Sequence, residues 1–174
     1  MFMRGLFIGR FQPFHNGHLH IIRKALEEVD ELVIVIGSAE CSFSSKDPFT
    51  AGERFEMIDS TMRELGFEGR TKIVPIRDVN RYSIWVDHVL SYVPRVDVVF
   101  TNNGLTELLF KEKGMTVKGT ELVDRTDLSG VVIRERMING GNWEELIPEP
   151  VRNLIFEFNG VERLRSIQVK GDRP

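Results

Sequence analysis

The stretch from Arg4 to Gly37, RGLFIGRFQPFHNGHLHIIRKALEEVDELVIVIG, sets two apolar runs on either side of one helical pattern. Arg4–Gly9 reads as a strand. From His18 to Val29, residues Leu19, Ile22, Leu26 and Val29 recur at helical spacing and share one face. Leu32–Gly37, LVIVIG, is apolar without alternation, as a strand covered on both faces must be. A strand, a helix and a doubly buried strand in immediate succession describe a parallel pair joined by a helical crossover.

The alternation continues along the chain. The segment TAGERFEMIDSTMREL reads as a helix, opened by a capping box of Thr50 with Glu53. Lys72–Ile76 is a third strand, and Ile84–Tyr92 a helix stopped by Pro94. Val96–Thr101, Leu105–Glu112 and Met115–Lys118 read as strand, helix and strand. Ser129–Ile138 is a helix ended by Gly140-Gly141, and Val151–Phe158 closes the fold, with Trp143 packing the last helices. The implied class is α/β: a Rossmann-like, five-stranded parallel sheet with helices on both faces. One domain spans residues 1–167, and residues 168–174 form a polar tail. In such a sheet, ligands bind beyond the carboxyl ends of the strands. The loops GRFQPFHNGH, SAECSFSSKDP, RDVNRYSIW and TNNG therefore converge on one cleft.

Composition narrows the function classes. A 174-residue chain that is 41% hydrophobic can build one real core. A net charge of −3 speaks against a nucleic-acid coat or a membrane-surface protein. The single cysteine, Cys41, admits no internal disulfide, which points to a cytoplasmic setting. The opening MFMRGLFIGR carries arginines around a very short apolar run, too short for a signal peptide or a membrane span.

The chemistry-bearing residues gather in those loops. No G-x-G-x-x-G follows the first strand, and no G-x-x-x-x-G-K-[ST] occurs, so a phosphate needs another holder. His15-Asn16-Gly17-His18 offers one. The helix starts near Asn16–His18, its free N–H groups and positive dipole end favour an anion, and Gly17 lets the backbone come close. His15 and His18 can both reach one point, each with a ring N–H that can harden into a charged donor. The competing reading is a zinc site begun by His-x-x-His. It lacks a third ligand at motif spacing, with only Cys41 and His88 as soft candidates. His20 and His88 read as packing residues. Ser129 can cap its helix, and Arg134 offers a fork suited to phosphate oxygens; the plain alternative is an exposed arginine paired with Glu135 or Asp127. Arg10 is pinned by a strand end, whereas Lys46 is either a phosphate contact or a solvated loop lysine. Trp85 either stacks a positively charged ring or belongs to the core. Asp78 can take ribose hydroxyls, and Asn103 can meet a nucleotide at the end of the fourth strand. No residue looks like a covalent nucleophile, and Cys41 has no adjacent base.

The phrase GRFQPFHNGH, with Arg10, Gln12, Pro13 and Phe14 in place, resembles the H-x-G-H signature of the nucleotidylyltransferase superfamily. In its longer form it is similar to the archaeal nicotinamide mononucleotide (NMN) adenylyltransferases. The resemblance extends through IGSAECSFSSKDPFTAGER, IWVDH, LSGVVIRERM and NGVERL. SGVVIR, Ser129–Arg134, resembles the I-S-S-T-x-x-R motif that grips ATP phosphates, with Val131 standing where that motif has threonine. Lys46 stands where the family pattern favours arginine, and Tyr82 where close relatives carry asparagine. The resemblance implies an enzyme that transfers AMP from ATP to NMN, giving NAD and pyrophosphate by direct in-line attack. It implies His15, His18 and Arg134 as catalytic residues, and Gly9, Arg10, Phe11, Gly17, Lys46, Asn103, Ser129 and Arg134 as the ATP site. Asp78, Tyr82 and Trp85 would bind NMN. Mg2+ would travel with ATP, with no protein side chain as metal ligand, and the protein would assemble as a homo-oligomer, a hexamer. The alternatives are a relative acting on phosphopantetheine, flavin mononucleotide or glycerol phosphate, or a nucleotide sensor without turnover.

Overall fold

A computed structural model describes residues 1–120 and 128–170. The first unit is β1 (Arg4–Gly9), α1 (Asn16–Glu28) and β2 (Glu31–Ile36). The chain continues through α2 (Ala51–Glu64), β3 (Thr71–Pro75), α3 (Tyr82–Tyr92), β4 (Val98–Phe100), α4 (Gly104–Glu112) and β5 (Thr116–Lys118). It then forms α5 (Gly130–Asn139), α6 (Glu149–Glu157) and α7 (Gly160–Lys170). All strand pairs are parallel, in the order β3-β2-β1-β4-β5. The order reverses between β1 and β4, and the crevice at that reversal is where ligands of such sheets bind.

The expected α/β sheet is present, and β2 is buried on both faces, as its unbroken apolar run requires. Phe7, Leu32, Ile34, Ile36, Val98 and Phe100 point to one side and pack with α1, α2, α5, α6 and α7. Leu6, Val33, Val35 and Val99 point to the other and pack under α3 and α4. Trp143 joins the larger core against Phe156, as the sequence implied.

Two differences have clear physical causes. The sequence reading closed the fold at Phe158 and let the chain fray after Ile167, yet α7 runs to Lys170; residues 171–174 lie outside the described residues. This helix buries little apolar surface beyond Leu164. It docks through arginines instead. Arg165 donates to the last carbonyls of α5, at Met137 and Ile138. Arg163 forks onto the Glu53 carboxylate at 2.7 Å and donates to Pro48 O. These polar contacts add to a thin apolar seam made by Leu164 and the partly buried Val161.

The second is Arg54, whose side chain is wholly buried. It lies on the core stripe of α2 with Met57, Ile58, Thr61 and Met62, where an apolar residue belongs. Its guanidinium donates to the carbonyls of Arg10, Gly37, Ser38, Ala39, Cys41 and Thr50 at 3.0–3.4 Å. Burial lowers its pKa below the ordinary arginine value, and the Asp47 charge opposes that shift. One side chain thereby satisfies the turning backbone of two loops at the carboxyl edge of the sheet. Arg54→Met leaves those carbonyls buried without donors. It should destabilise the protein by on the order of 3–5 kcal/mol, read as a fall in the urea unfolding midpoint.

Candidate active site

The loop after β1 folds back so that Phe11 and Phe14 enter the core while His15 caps α1. Gln12 is buried and locks this loop to the next. Its side-chain amide donates to Phe49 O and accepts from Phe49 N, both at 2.9 Å. The cap of α1 is made by two imidazoles. His15 Nδ1 accepts from the N–H groups of Gly17 (3.1 Å) and His18 (3.4 Å), and His18 Nδ1 accepts from His15 N (3.2 Å). Both Nδ1 atoms are acceptors, so in the neutral rings the proton must sit on Nε2. Two Nε2–H donors therefore belong to the residues that line the adjoining cleft.

The rings stack 3.6 Å apart, and His18 also meets Phe11 and Phe14. Burial pushes His15 down to about 4. Burial, with the neighbouring His15 ring second, holds His18 well below its ordinary range. The sequence reading had these rings hardening into charged donors. Against that expectation, burial disfavours the charged form of both rings.

The cleft, about 400 Å3, is lined by Arg10, Phe11, Gln12, His15, His18, Lys46, Gly130, Val131 and Arg134. The N-terminus of α5 forms one wall, capped by Ser129 Oγ on Val132 N. Arg134 is not the surface arginine of the plain alternative. Its Nε donates to Ser45 O (3.1 Å) and Nη1 to Gln12 O (2.8 Å), so it ties α5 to both preceding loops. Asp127 lies outside the described residues. A Cβ on Gly130 would stand 2.9 Å from Arg134 Nη1 and 3.2 Å from Gln12 O, so a side chain there would have to displace the guanidinium. Lys46 is exposed at the rim, and Arg10 forms an ion pair with the buried carboxylate of Asp47.

A second pocket of about 290 Å3 adjoins the first through Arg10. Gly9, Gly37, Ser38, Asp78, Tyr82, Trp85, Asn103 and Thr106 are among its lining residues. Trp85 lines this pocket and also packs edge-to-face with Phe110 at the margin of the core. Asp78 N is fixed by the Glu40 carboxylate at 3.0–3.1 Å. Asn103 Oδ1 caps α4 on Thr106 N. Gly9, His18, Asn102 and Asn103 also border a groove of about 380 Å3 between α1 and the β4–α4 turn.

Of the expected site residues, Arg10, Phe11, Lys46, His15, His18 and Arg134 meet at the cleft, and Asp78, Tyr82 and Trp85 meet in the adjoining pocket. Ser129 and Gly17 line neither. Ser129 spends its hydroxyl on its helix, and a Cβ on Gly17 would lie 3.0 Å from the His15 ring, so this glycine makes room for the cap. Gly9 and Asn103, expected in the ATP site, border the other two hollows. His88 bonds Arg77 O at 2.8 Å, in keeping with a packing role. Sequence reasoning missed Arg54, Asp47 and Arg163. Arg54 alone left a trace, as a charge on an apolar stripe. Among the described residues, no group of three or more His, Cys, Asp or Glu side chains is placed to hold a metal, and no helix is long and apolar enough to cross a membrane.

A family model described as cytidylyltransferase-like matches residues 6–136. The chain belongs to the cytidylyltransferase-like family. It is 48% identical to a nicotinamide-nucleotide adenylyltransferase of Archaeoglobus fulgidus, over 95% of this chain and 97% of that one. It is 51% identical to one of Methanosarcina mazei, over 94% of each. Among solved structures, the fold matches a bifunctional NMN adenylyltransferase/ADP ribose pyrophosphatase of Francisella tularensis, complexed with AMP and a manganese ion. The TM-score is 0.73 at 23% identity, over 98% of this chain, which spans 57% of that longer chain.

The depressed His15 pKa predicts how the ligand-free protein responds to acid. Above pH 6.5 the ring is neutral folded or unfolded. As pH falls from 6.5 towards 4, the unfolded chain takes up a proton that the folded one refuses, and stability drops. His15 alone accounts for about 3 kcal/mol of loss by pH 4. Urea unfolding at pH 7.5 and pH 5 should show a larger loss for the wild type than for His15→Asn, which keeps a capping acceptor without the titration.

Proposed function

We propose that the protein transfers AMP from ATP to the 5′-phosphate of nicotinamide mononucleotide, releasing pyrophosphate and giving NAD. The observation that carries the reading is the reciprocal imidazole cap. It spends both Nδ1 atoms on the α1 backbone and leaves two neutral Nε2–H donors in a cleft whose other titratable lining residues, Arg10, Lys46 and Arg134, are all cationic. The identity of 48% and 51% to nicotinamide-nucleotide adenylyltransferases, over nearly the whole of each chain, supports the choice of acceptor.

ATP phosphates occupy the cleft, with Arg134, Lys46 and Arg10 facing the leaving pyrophosphate. His15 and His18 donate to the α-phosphate and the bridging oxygen, where charge grows in the transition state. Donors already oriented by the helix cap need no reorganisation as that charge appears. The adenosine lies in the groove bordered by Gly9, Asn102 and Asn103. The acceptor enters the adjoining pocket, its cationic nicotinamide ring against Trp85 and its ribose near Asp78, with Tyr82 at the mouth. Its phosphate then meets the α-phosphorus at Arg10, the residue common to both hollows. Catalysis is positioning plus charge neutralisation. Cys41 supports the absence of a covalent step: burial raises its thiol pKa, and it lines neither hollow.

The lining of the cleft suits a divalent ion that arrives on the nucleotide rather than one caged by the protein. Mg2+ bound to ATP would screen phosphate charge there. Assembly into a homo-oligomer, a hexamer by the family resemblance, belongs to the same proposal and is measured by light scattering.

Incubation with ATP, Mg2+ and NMN should yield NAD and pyrophosphate in equal amounts. Pyrophosphate appearing only with nicotinic acid mononucleotide, phosphopantetheine, flavin mononucleotide or glycerol phosphate would reassign the acceptor, and nucleotide binding without pyrophosphate would make the protein a sensor. His18→Ala should lower kcat by roughly 100- to 1,000-fold with little change in KM, as for other preorganised donors. Trp85→Ala should raise the KM for NMN and leave ATP binding unchanged by calorimetry.

A further inference from the structure

Asp47 is 5% exposed, and its ion-pair partner Arg10 lines both the cleft and the adjoining pocket. Its Oδ2 accepts from Arg10 Nη2. Its Oδ1 is sealed from solvent and has no hydrogen-bond partner among the described residues. Among the described residues, the carboxylate caps no helix and accepts from no backbone amide. It is held by charge, with Arg54 and Arg134 also within its field.

The segment that carries Asp47 is rigid for independent reasons. Asp47 N donates to Ser44 Oγ at 3.1 Å, and Ser44 N donates to Asp47 O at 3.2 Å. Pro48 O is held by Arg163, and both backbone polar groups of Phe49 by Gln12. Arg10 is the opposite case: its side chain is 53% exposed, and Asp47 is its anchor. A flexible cation is tied to a fixed anion at the one residue that lines both hollows.

We propose that Asp47 is a positioning residue, whose carboxylate holds the Arg10 guanidinium at the seam between the two hollows so that one cation serves both phosphates at once. This rests on the adenylyl-transfer reading. The arrangement has a built-in opposition. The Asp47 charge fixes Arg10 but also weakens the positive field that draws ATP into the cleft. Removing the charge should therefore slow the reaction while tightening the nucleotide.

The test compares wild type, Asp47→Asn, Arg10→Ala and the double variant, by steady-state kinetics with ATP and NMN and by calorimetric titration of ATP without acceptor. Asp47→Asn should lower kcat roughly 10- to 100-fold, as a freed positioning group does. Its ATP Kd should fall by about threefold. The double variant should have the kcat of Arg10→Ala, because Asp47 acts only through that side chain. Weaker ATP binding together with slower turnover marks a merely structural aspartate and overturns the proposal. Unchanged or faster turnover overturns it, as do additive losses in the double variant. If Asp47→Asn does not fold, Asp47→Glu takes its place: it keeps the charge but shifts the guanidinium, so kcat should fall with ATP affinity unchanged, and an unaltered kcat overturns the proposal. Wild-type protein that forms no NAD overturns the adenylyl-transfer reading, and the proposal with it, before any variant is compared.

Discussion

A single guanidinium buried at the carboxyl edge of the sheet sets the geometry of everything above it. The chain leaves β1 and β2 at neighbouring points and must turn sharply both times. Turning exposes carbonyls that the sheet no longer satisfies, in a region too buried for water to serve them all. Arg54 reaches up from α2 and gathers carbonyls from both loops and from the start of its own helix. A desolvated charge is costly alone, but six acceptors offset much of that cost. The two loops become one rigid body, and Gln12, Arg134 and Arg163 lash further parts to it from three directions.

On that base, the histidine pair solves a problem of orientation. A lone imidazole on a loop would sample several rotamers and both tautomers. Here each ring's Nδ1 is consumed by an N–H at the start of α1, so the helix terminus itself selects the tautomer. Burial of the stacked rings also lowers their basicity, with the neighbouring His15 adding to the effect at His18. The proposed adenylyl transfer would use this pair as two aligned donors at the positive end of one helix dipole, with the N-terminus of α5 also lining the cleft. Positive charge is left to the arginines and the lysine, which are placed at the rim or tethered through their own hydrogen bonds.

Much of the site was legible in the sequence, and the reasons are local. The Rossmann-like sheet shows in the unbroken run LVIVIG and in helical spacing around Ile22 and Leu26. His15 and His18 stand out as imidazoles at a helix mouth, and Ser129 as a cap. Roles that depend on partners distant in the chain were not legible. Gly17 reads as an opening for a ligand, but it makes room for the His15 ring. Asp47 reads as one loop carboxylate among many, and its link to Arg10 appears only when two loops are brought together. Helix α7 was missed because it docks by guanidinium groups on carbonyls and a carboxylate.

The amino-acid order alone determined the strand and helix alternation, the parallel sheet and the loops that carry chemistry, because these follow from periodicity and from caps a few residues long. It also marked the two imidazoles that meet at the cleft. Tertiary structure decided which protonation state is favoured, since burial lowers the pKa of both rings and the neighbouring His15 adds to that at His18. It decided too that Arg134 ties loops together as well as facing the cleft, and that Arg10 stands between two hollows on the charge of Asp47. Those properties are sums over contacts between segments far apart in sequence, and no local pattern encodes such a sum.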